Sequence, residues 1–336
     1  MFDLIIIGAG PAGITAAYEA RQAGLDYLVI EKGLIGNTIY NYPVGLTVFS
    51  TTNELEIKPD GLKPAREKPT REELLSYYVR FVLDNDLNVR TEEPLVSVRS
   101  VDTKFTAENT EKKRSGSEFE IVTDKTSYQT RSVLFAMGAM DFPRKLNVPG
   151  EDLPHVFDHF RETYPWVKKK ALIVGGGNSA GEAALFLAQE GAETTLAIFR
   201  DDWENTDPKQ GCIKYWVKQP LEAELKEHCL NLFFLGKVVE IREGEVELRN
   251  EAGEQVVLQN DVVFVLVGSD ADLSMLKRLG VATEIGKYGE VPVYDEITFE
   301  TNVRGVYVAG HFTNQRHIKG AIDAGRAVIE RLRVSS

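Results

Sequence analysis

One short pattern is written twice in this chain of 336 residues, and no other feature narrows its possible folds as much. Residues 4–17 read LIIIGAGPAGITAA and residues 172–184 read LIVGGGNSAGEAA. Each is an apolar, β-branched run, then a glycine cluster, then an alanine-rich helix start. A continuous apolar run of this length reads as a strand buried on both faces of a parallel sheet. Each half of the chain carries one copy, so the sequence predicts two βαβ units. The length, at about 150 residues per domain, agrees with two domains.

In the first copy the glycines are Gly8, Gly10 and Gly13, with Pro11 and Ala12 between them. One glycine makes the strand-to-helix turn, one lets the backbone approach a pyrophosphate, and one lets helix and strand pack closely. The helix N-terminus then offers unpaired N–H groups and partial positive charge to the diphosphate. The next predicted strand, Tyr27–Ile30, is followed by Glu31 and Lys32; an acid at Glu31 accepts hydrogen bonds from ribose hydroxyls. The second copy offers Gly175, Gly177, Asn178, Ser179 and Ala180. Its second strand is predicted at Thr194–Phe199, and the position matching Glu31 is the apolar Ile198. Arg200 follows two residues on. A guanidinium there pairs a 2′-phosphate bidentately and favours NADPH over NADH, while Asp201 and Asp202 weigh the other way.

Between and after the two copies the sequence predicts β-meanders. One comprises 95–101, 119–123 and 128–136, and the other comprises 238–242, 246–249, 255–258 and 262–267. Each closes on an apolar strand and a glycine, LFAMG at 134–138 and FVLVG at 264–268. A helix is predicted over 320–333. The charged run 108–114 reads as a solvated hairpin loop.

Composition excludes several classes. Asp and Glu number 51 against 39 Lys and Arg, a net charge of −12, which repels a phosphate backbone and argues against nucleic-acid binding. No apolar run approaches the ~18–20 residues of a membrane span. The glycine motif starts directly after Ile7, which leaves no room for a signal or transit peptide and points to the cytoplasm. Two cysteines, Cys212 and Cys229, exclude a disulfide framework, a Cys-x-x-Cys pair and a cysteine-rich metal site; no metal is expected.

Gly8–Gly13 with Glu31, AMG at 136–138, GGGNSA at 175–180 and TNVRGVYVAG at 301–310 resemble the two-dinucleotide-binding flavoprotein disulfide reductases of the thioredoxin reductase-like group, over the whole chain. Within that group NTIYNYP at 37–43, TVFST at 47–51, LEI at 55–57, PHVF at 154–157 and CIKYW at 212–216 resemble the bacillithiol disulfide reductase family. The resemblance implies an α/β fold of two Rossmann-like dinucleotide-binding domains, each with a β-meander. The NAD(P)H-binding domain, 142–270, would be inserted into an FAD-binding domain made of 1–141 and 271–336. It implies a homodimer, and that Asn37, Ile39, Phe49, Ser50 and Thr51 line the flavin. Val96 would touch the adenine end through its backbone, and Ala136, Met137 and Gly138 would pass near the diphosphate. Gly310 and His311 would face the ribityl chain. Ser179, Ala180, Glu182, Arg200 and Lys214 would hold NADPH, or NADH, with Gly268 closing the return strand.

Two departures bear on chemistry. The thioredoxin-reducing members carry Cys-x-x-Cys in the nucleotide domain, and the matching region, Gly177 to Glu182, has no cysteine. Bacillithiol-type members carry a cysteine inside the first glycine motif, where this chain has Ala12, and alanine forms no mixed disulfide. Cys212, close in sequence to Lys214, is the other candidate nucleophile. Cys229 reads as a helix-end packing residue. His311 stands where relatives have Asp; a neutral imidazole nitrogen can accept a hydrogen bond, or the ring can donate a proton, with His317 as a second group. The expected function is passage of hydride from NADPH to flavin and then to a small disulfide. Alternatives are a ferredoxin or flavodoxin reductase, which needs no cysteine, a flavin monooxygenase or oxidase, and a nucleotide-sensing flavoprotein without turnover.

Overall fold

The computed structural model describes residues 1–101, 118–207, 213–227, 229–286 and 289–335. The run 108–114 and Cys212 lie outside the described residues. The chain divides into two compact units, Met1–Asp141 with Asp270–Ser336, and Phe142–Ser269.

The first unit is built on a sheet in the order Val89–Arg90, Tyr27–Ile30, Phe2–Ile7, Ser127–Phe135, Phe119–Thr123, Leu95–Ser100. The first four strands run parallel, and Val306–Val308 lies parallel to Ser127–Phe135 from outside that path. The apolar runs fill both faces, with Leu4, Ile5 and Ile6 wholly buried. Ser127–Phe135 does two jobs. Residues 127–130 pair antiparallel with Phe119–Thr123, and residues 130–135 pair parallel with Phe2–Ile7. The meander thus feeds its last strand straight into the parallel sheet.

The second unit repeats the plan with the joint in another strand. Its sheet runs Gln255–Gln259, Glu245–Asn250, Leu230–Arg242, Glu193–Ile198, Lys170–Val174, Val262–Val265, Val156–Phe157. The strand expected at 238–242 is the second half of a longer one. Leu230–Phe234 pairs parallel with the 193–198 strand, and the continuation to Arg242 pairs antiparallel with Glu245–Asn250. The register shifts between Leu235 and Lys237, around Gly236, where an added Cβ would lie 2.4 Å from the Asn250 oxygen. Only a residue without a side chain lets the strand bend there. Cys229 is exposed rather than packed, because the next residue, Leu230, takes the buried position that opens the strand.

In the first unit the helix Pro11–Gln22 packs against the helix Ile318–Ser335, and an added Cβ at Gly325 would lie 2.5 Å from the Ala12 oxygen. The segment 37–57 is tied down from below by the helix Arg71–Asp84. Thr70 caps that helix in a reciprocal box with Glu73, the Arg71 amide donates to the Leu46 oxygen at 2.8 Å, and the Arg71 Nη2 donates to the Tyr40 oxygen at 2.5 Å. Tyr78 is wholly buried and its hydroxyl donates to the Leu55 oxygen at 2.6 Å. Among the described residues no helix is long and apolar enough to cross a membrane. Tyr78→Phe leaves the Leu55 carbonyl without that donor, and a loss of about 1–2 kcal/mol is expected in urea unfolding.

Candidate functional site

The first glycine loop is shaped by what a side chain would strike. Gly8 has φ +111, and an added Cβ would lie 2.5 Å from the Ala136 oxygen. At Gly13 it would lie 1.9 Å from the Gly8 oxygen. At Gly10 it would meet nothing within 4 Å, so the open side of the loop is free for a ligand to approach the backbone. Gly10 caps the helix Pro11–Gln22 without a side-chain hydrogen bond, and Pro11 opens it. The first-turn N–H groups of such an end have no partner inside the helix. Glu31 is buried and holds the loop. Its Oε2 accepts from the Ala9 amide at 2.8 Å and its Oε1 from the Gly33 amide at 2.7 Å. An ionised carboxylate has about four lone-pair sites, so acceptor capacity remains. Lys32 pairs with Asp141 at 2.8 Å.

Other parts of the first unit gather around this loop. An added Cβ at Gly33 would lie 2.8 Å from Asn37 Oδ1. The Ile39 side chain belongs to the core, at 2% exposure, whereas Phe49 and Val96 are exposed. Val96 falls at the register shift between Leu95 and Ser97. Ser50 is half-buried, and Thr51 caps the short helix Thr52–Leu55 in a reciprocal box with Glu54. Met137 packs on the core and Gly138 follows with φ +74. Gly310 has φ +101, and its added Cβ would lie 3.5 Å from the Ala12 Cβ. Desolvation pushes the His311 pKa down to about 4, with Arg316 and His317 adding repulsion. His311 is nonetheless exposed as a whole residue. His317 also helps hold the Glu54 carboxyl below its usual range, after the hydrogen bonds from Thr51. The 51–54 turn and the 311–317 turn therefore share one electrostatic neighbourhood.

The second unit repeats the loop. Gly175 has φ +155, and its added Cβ would lie 2.3 Å from the Leu266 oxygen, while at Gly177 nothing lies within 4 Å. Gly177 caps the helix Asn178–Gln189 without a side-chain hydrogen bond. Ser179 is exposed in its first turn and Ala180 is buried. Asn178 Oδ1 accepts from the Lys214 amide at 2.8 Å, which ties the predicted Lys214 to the loop. Gly268, with φ +95, holds the place that Gly138 holds in the first unit, and its carbonyl accepts from the Arg144 amide at 2.9 Å. Glu182 is half-buried, and desolvation lifts its carboxyl pKa to about 7. Arg200 is held by carboxylates. Its Nε and Nη2 donate to the two oxygens of Glu251 at 2.7 and 2.6 Å, and its Nη1 to Glu204 at 3.2 Å. The offset from the first copy missed one acid. An added Cβ at Gly176 would lie 2.2 Å from Asp202 Oδ2, so this carboxylate stands against the loop.

Residues 5–310 match the family model described as pyridine nucleotide-disulphide oxidoreductase. The chain belongs to that family. Bacilliredoxin reductase Bdr of Bacillus subtilis (strain 168) is 39% identical over 91% of this chain and 88% of its own length. Ferredoxin--NADP reductase of Ignicoccus hospitalis is 28% identical over 93% and 90%. The solved bacillithiol disulfide reductase Bdr (YpdA) from Staphylococcus aureus superposes with a TM-score of 0.88 at 30% identity, covering 100% of this chain and 99% of that one. The family's two-unit α/β fold is thus the fold of this chain.

Glu182 gives a pH test. The folded chain holds its proton to about pH 7, above the ordinary carboxyl value of 4.5. The stability linked to that proton is therefore complete below about pH 4.5 and lost as pH rises through about 7. Glu182→Gln should raise the thermal midpoint at about pH 8, with the gain gone by about pH 4. A constant gain across that range would contradict the assignment.

Proposed function

We propose that this chain is an FAD-dependent reductase that carries reducing equivalents from a reduced nicotinamide nucleotide to a low-molecular-weight disulfide. The observation behind this reading is the pair of glycine cradles, one in each unit, open at Gly10 and at Gly177 and set on helix starts without a side-chain cap. Such a cradle suits a diphosphate, since backbone N–H groups and the helix dipole both favour negative charge. The similarity to a bacilliredoxin reductase supports the choice of acceptor class. A homodimer and a cytoplasmic location belong to the same reading.

In the first unit, the loop 8–13, Glu31 and the 136–138 turn would hold FAD, and the flavin-side group would come from segments 37–51 and 310–311. When bound, FAD accepts hydride and passes electrons on. In the second unit the loop 175–180 with Lys214 would hold the nicotinamide nucleotide. The protein's part is to orient and to manage protons. His311, with its pKa near 4, is neutral at neutral pH, so one ring nitrogen can accept a hydrogen bond there. Thr51, with its hydroxyl bound to Glu54, fixes the start of the 52–55 helix.

Ala12 favours a second reading. With no thiol at that position, a ferredoxin or flavodoxin is an acceptor that needs none, and a ferredoxin reductase is among the relatives. Anaerobic stopped-flow separates the two. The protein, reduced by one equivalent of nucleotide, is mixed with bacillithiol disulfide while flavin absorbance is followed. Prompt reoxidation, unchanged in Cys212→Ser, is the expected result for direct transfer to the disulfide. Loss of reoxidation in Cys212→Ser would assign the thiol to Cys212. No reoxidation by the disulfide, with rapid reoxidation by ferredoxin, would overturn the disulfide reading. Ala12→Cys is expected to speed disulfide turnover where a thiol relay is the faster route.

A further inference from the structure

We propose that the second unit prefers NADH to NADPH, with Asp202 accepting from the adenosine ribose and Glu251 withholding Arg200 from a 2′-phosphate. This rests on the reading of that unit as the nicotinamide-nucleotide site. The two nucleotides differ by one phosphate on the 2′-hydroxyl. A βαβ unit tells them apart just past its second strand, where a carboxylate accepts from free hydroxyls or a guanidinium pairs the phosphate.

Arg200 stands in that place, two residues past the strand Glu193–Ile198, but its fork is occupied. Glu251 takes the Nε and Nη2 donors side by side, the same parallel pair a phosphate would use. Phe234 fixes the plane of the guanidinium, whose carbon lies 3.7 Å from the ring centroid. Phe234 also anchors Glu251, since its carbonyl accepts from the Glu251 amide at 3.2 Å. Both members of the ion pair are thus held by one residue at the end of the parallel pairing of 230–234. Glu204 binds the third side, and Asp201 and Asp202 follow in sequence. Among the described residues this stretch sets the carboxylates of Glu251, Glu204, Asp201 and Asp202 beside Arg200, with Lys218 bound to the Trp203 carbonyl. A 2′-phosphate, carrying about −1.5 to −2 at neutral pH, enters a field that opposes it.

Asp202 supplies the other half of the preference. In the first unit Glu31 follows its strand directly; in the second the short helix Arg200–Glu204 carries an acid back to the loop from four residues past the strand. Its Oδ2 stands against Gly176, 2.2 Å from where an added Cβ would lie. Burial raises its pKa, with Asp201 adding to it, as expected for a carboxylate enclosed beside the loop. A free ribose hydroxyl would donate to it, and a phosphate would be repelled.

The test uses the FAD-loaded protein, so that the first site is filled, and titrates 5′-AMP and adenosine 2′,5′-bisphosphate (2′,5′-ADP) calorimetrically. These fragments differ only in the 2′-phosphate and need no turnover. The expected result is tighter binding of 5′-AMP. Glu251→Gln should raise the affinity for 2′,5′-ADP by about tenfold and leave 5′-AMP nearly unchanged. Asp202→Asn should weaken 5′-AMP by about tenfold. Tighter binding of 2′,5′-ADP by the parent, or the same ratio of affinities in Glu251→Gln, would overturn the preference. Binding of neither fragment would overturn the nucleotide reading of this unit and the preference with it. Stopped-flow reduction of the flavin by NADH and by NADPH should follow the same order.

Discussion

Two carbonyl oxygens, those of Ala136 and Leu266, stand where side chains on Gly8 and Gly175 would have to go. Each belongs to the strand that returns beside the first strand of its unit, and each strand is locked there by a backbone hydrogen bond, Ala136 to Ile7 and Leu266 to Val174, both 2.8 Å. The return strand can lie this close to the turn only because the turn has no side chains there. The ligand cradle is therefore a product of the long-range pairing. A change in either meander that moved its return strand would spoil the cradle without touching it.

Much of this was legible in the residues because it rests on local rules. Apolar β-branched runs give buried strands, glycines mark positive φ, and an acid after a strand marks a loop partner. Glu31 follows that logic, although its carboxylate also holds the Ala9 and Gly33 amides, a task no spacing rule states. The parts that were not legible depend on where a strand bends. Leu230–Phe234 follows a charged helix and carries no glycine motif, so nothing local marks it as a sheet strand. Gly236 marks the first register shift, where the same strand continues into the meander. Asp202 was visible as a charge weighing against NADPH, but not as the acid at the loop. A short helix lengthens the path from strand to acid, so a fixed offset pointed to Ile198. Arg200 was visible as a charge, but its partner Glu251 comes from a different hairpin, and sequence distance hides such a pair.

Ala12 sits at a crossing of three backbones. Its methyl faces Gly310, and its carbonyl is overlaid by Gly325 of the C-terminal helix. Small residues on all sides make this a tight packing position, with alanine at 4% exposure.

The second unit leaves the chain near Arg144 and returns near Gly268, and those two residues share a backbone hydrogen bond. Its own ends are thus tied together. The entropy lost on closing a loop grows only slowly with loop length, and here the loop is closed by its own folded contents. Such a module can be lengthened or replaced with little penalty to its host.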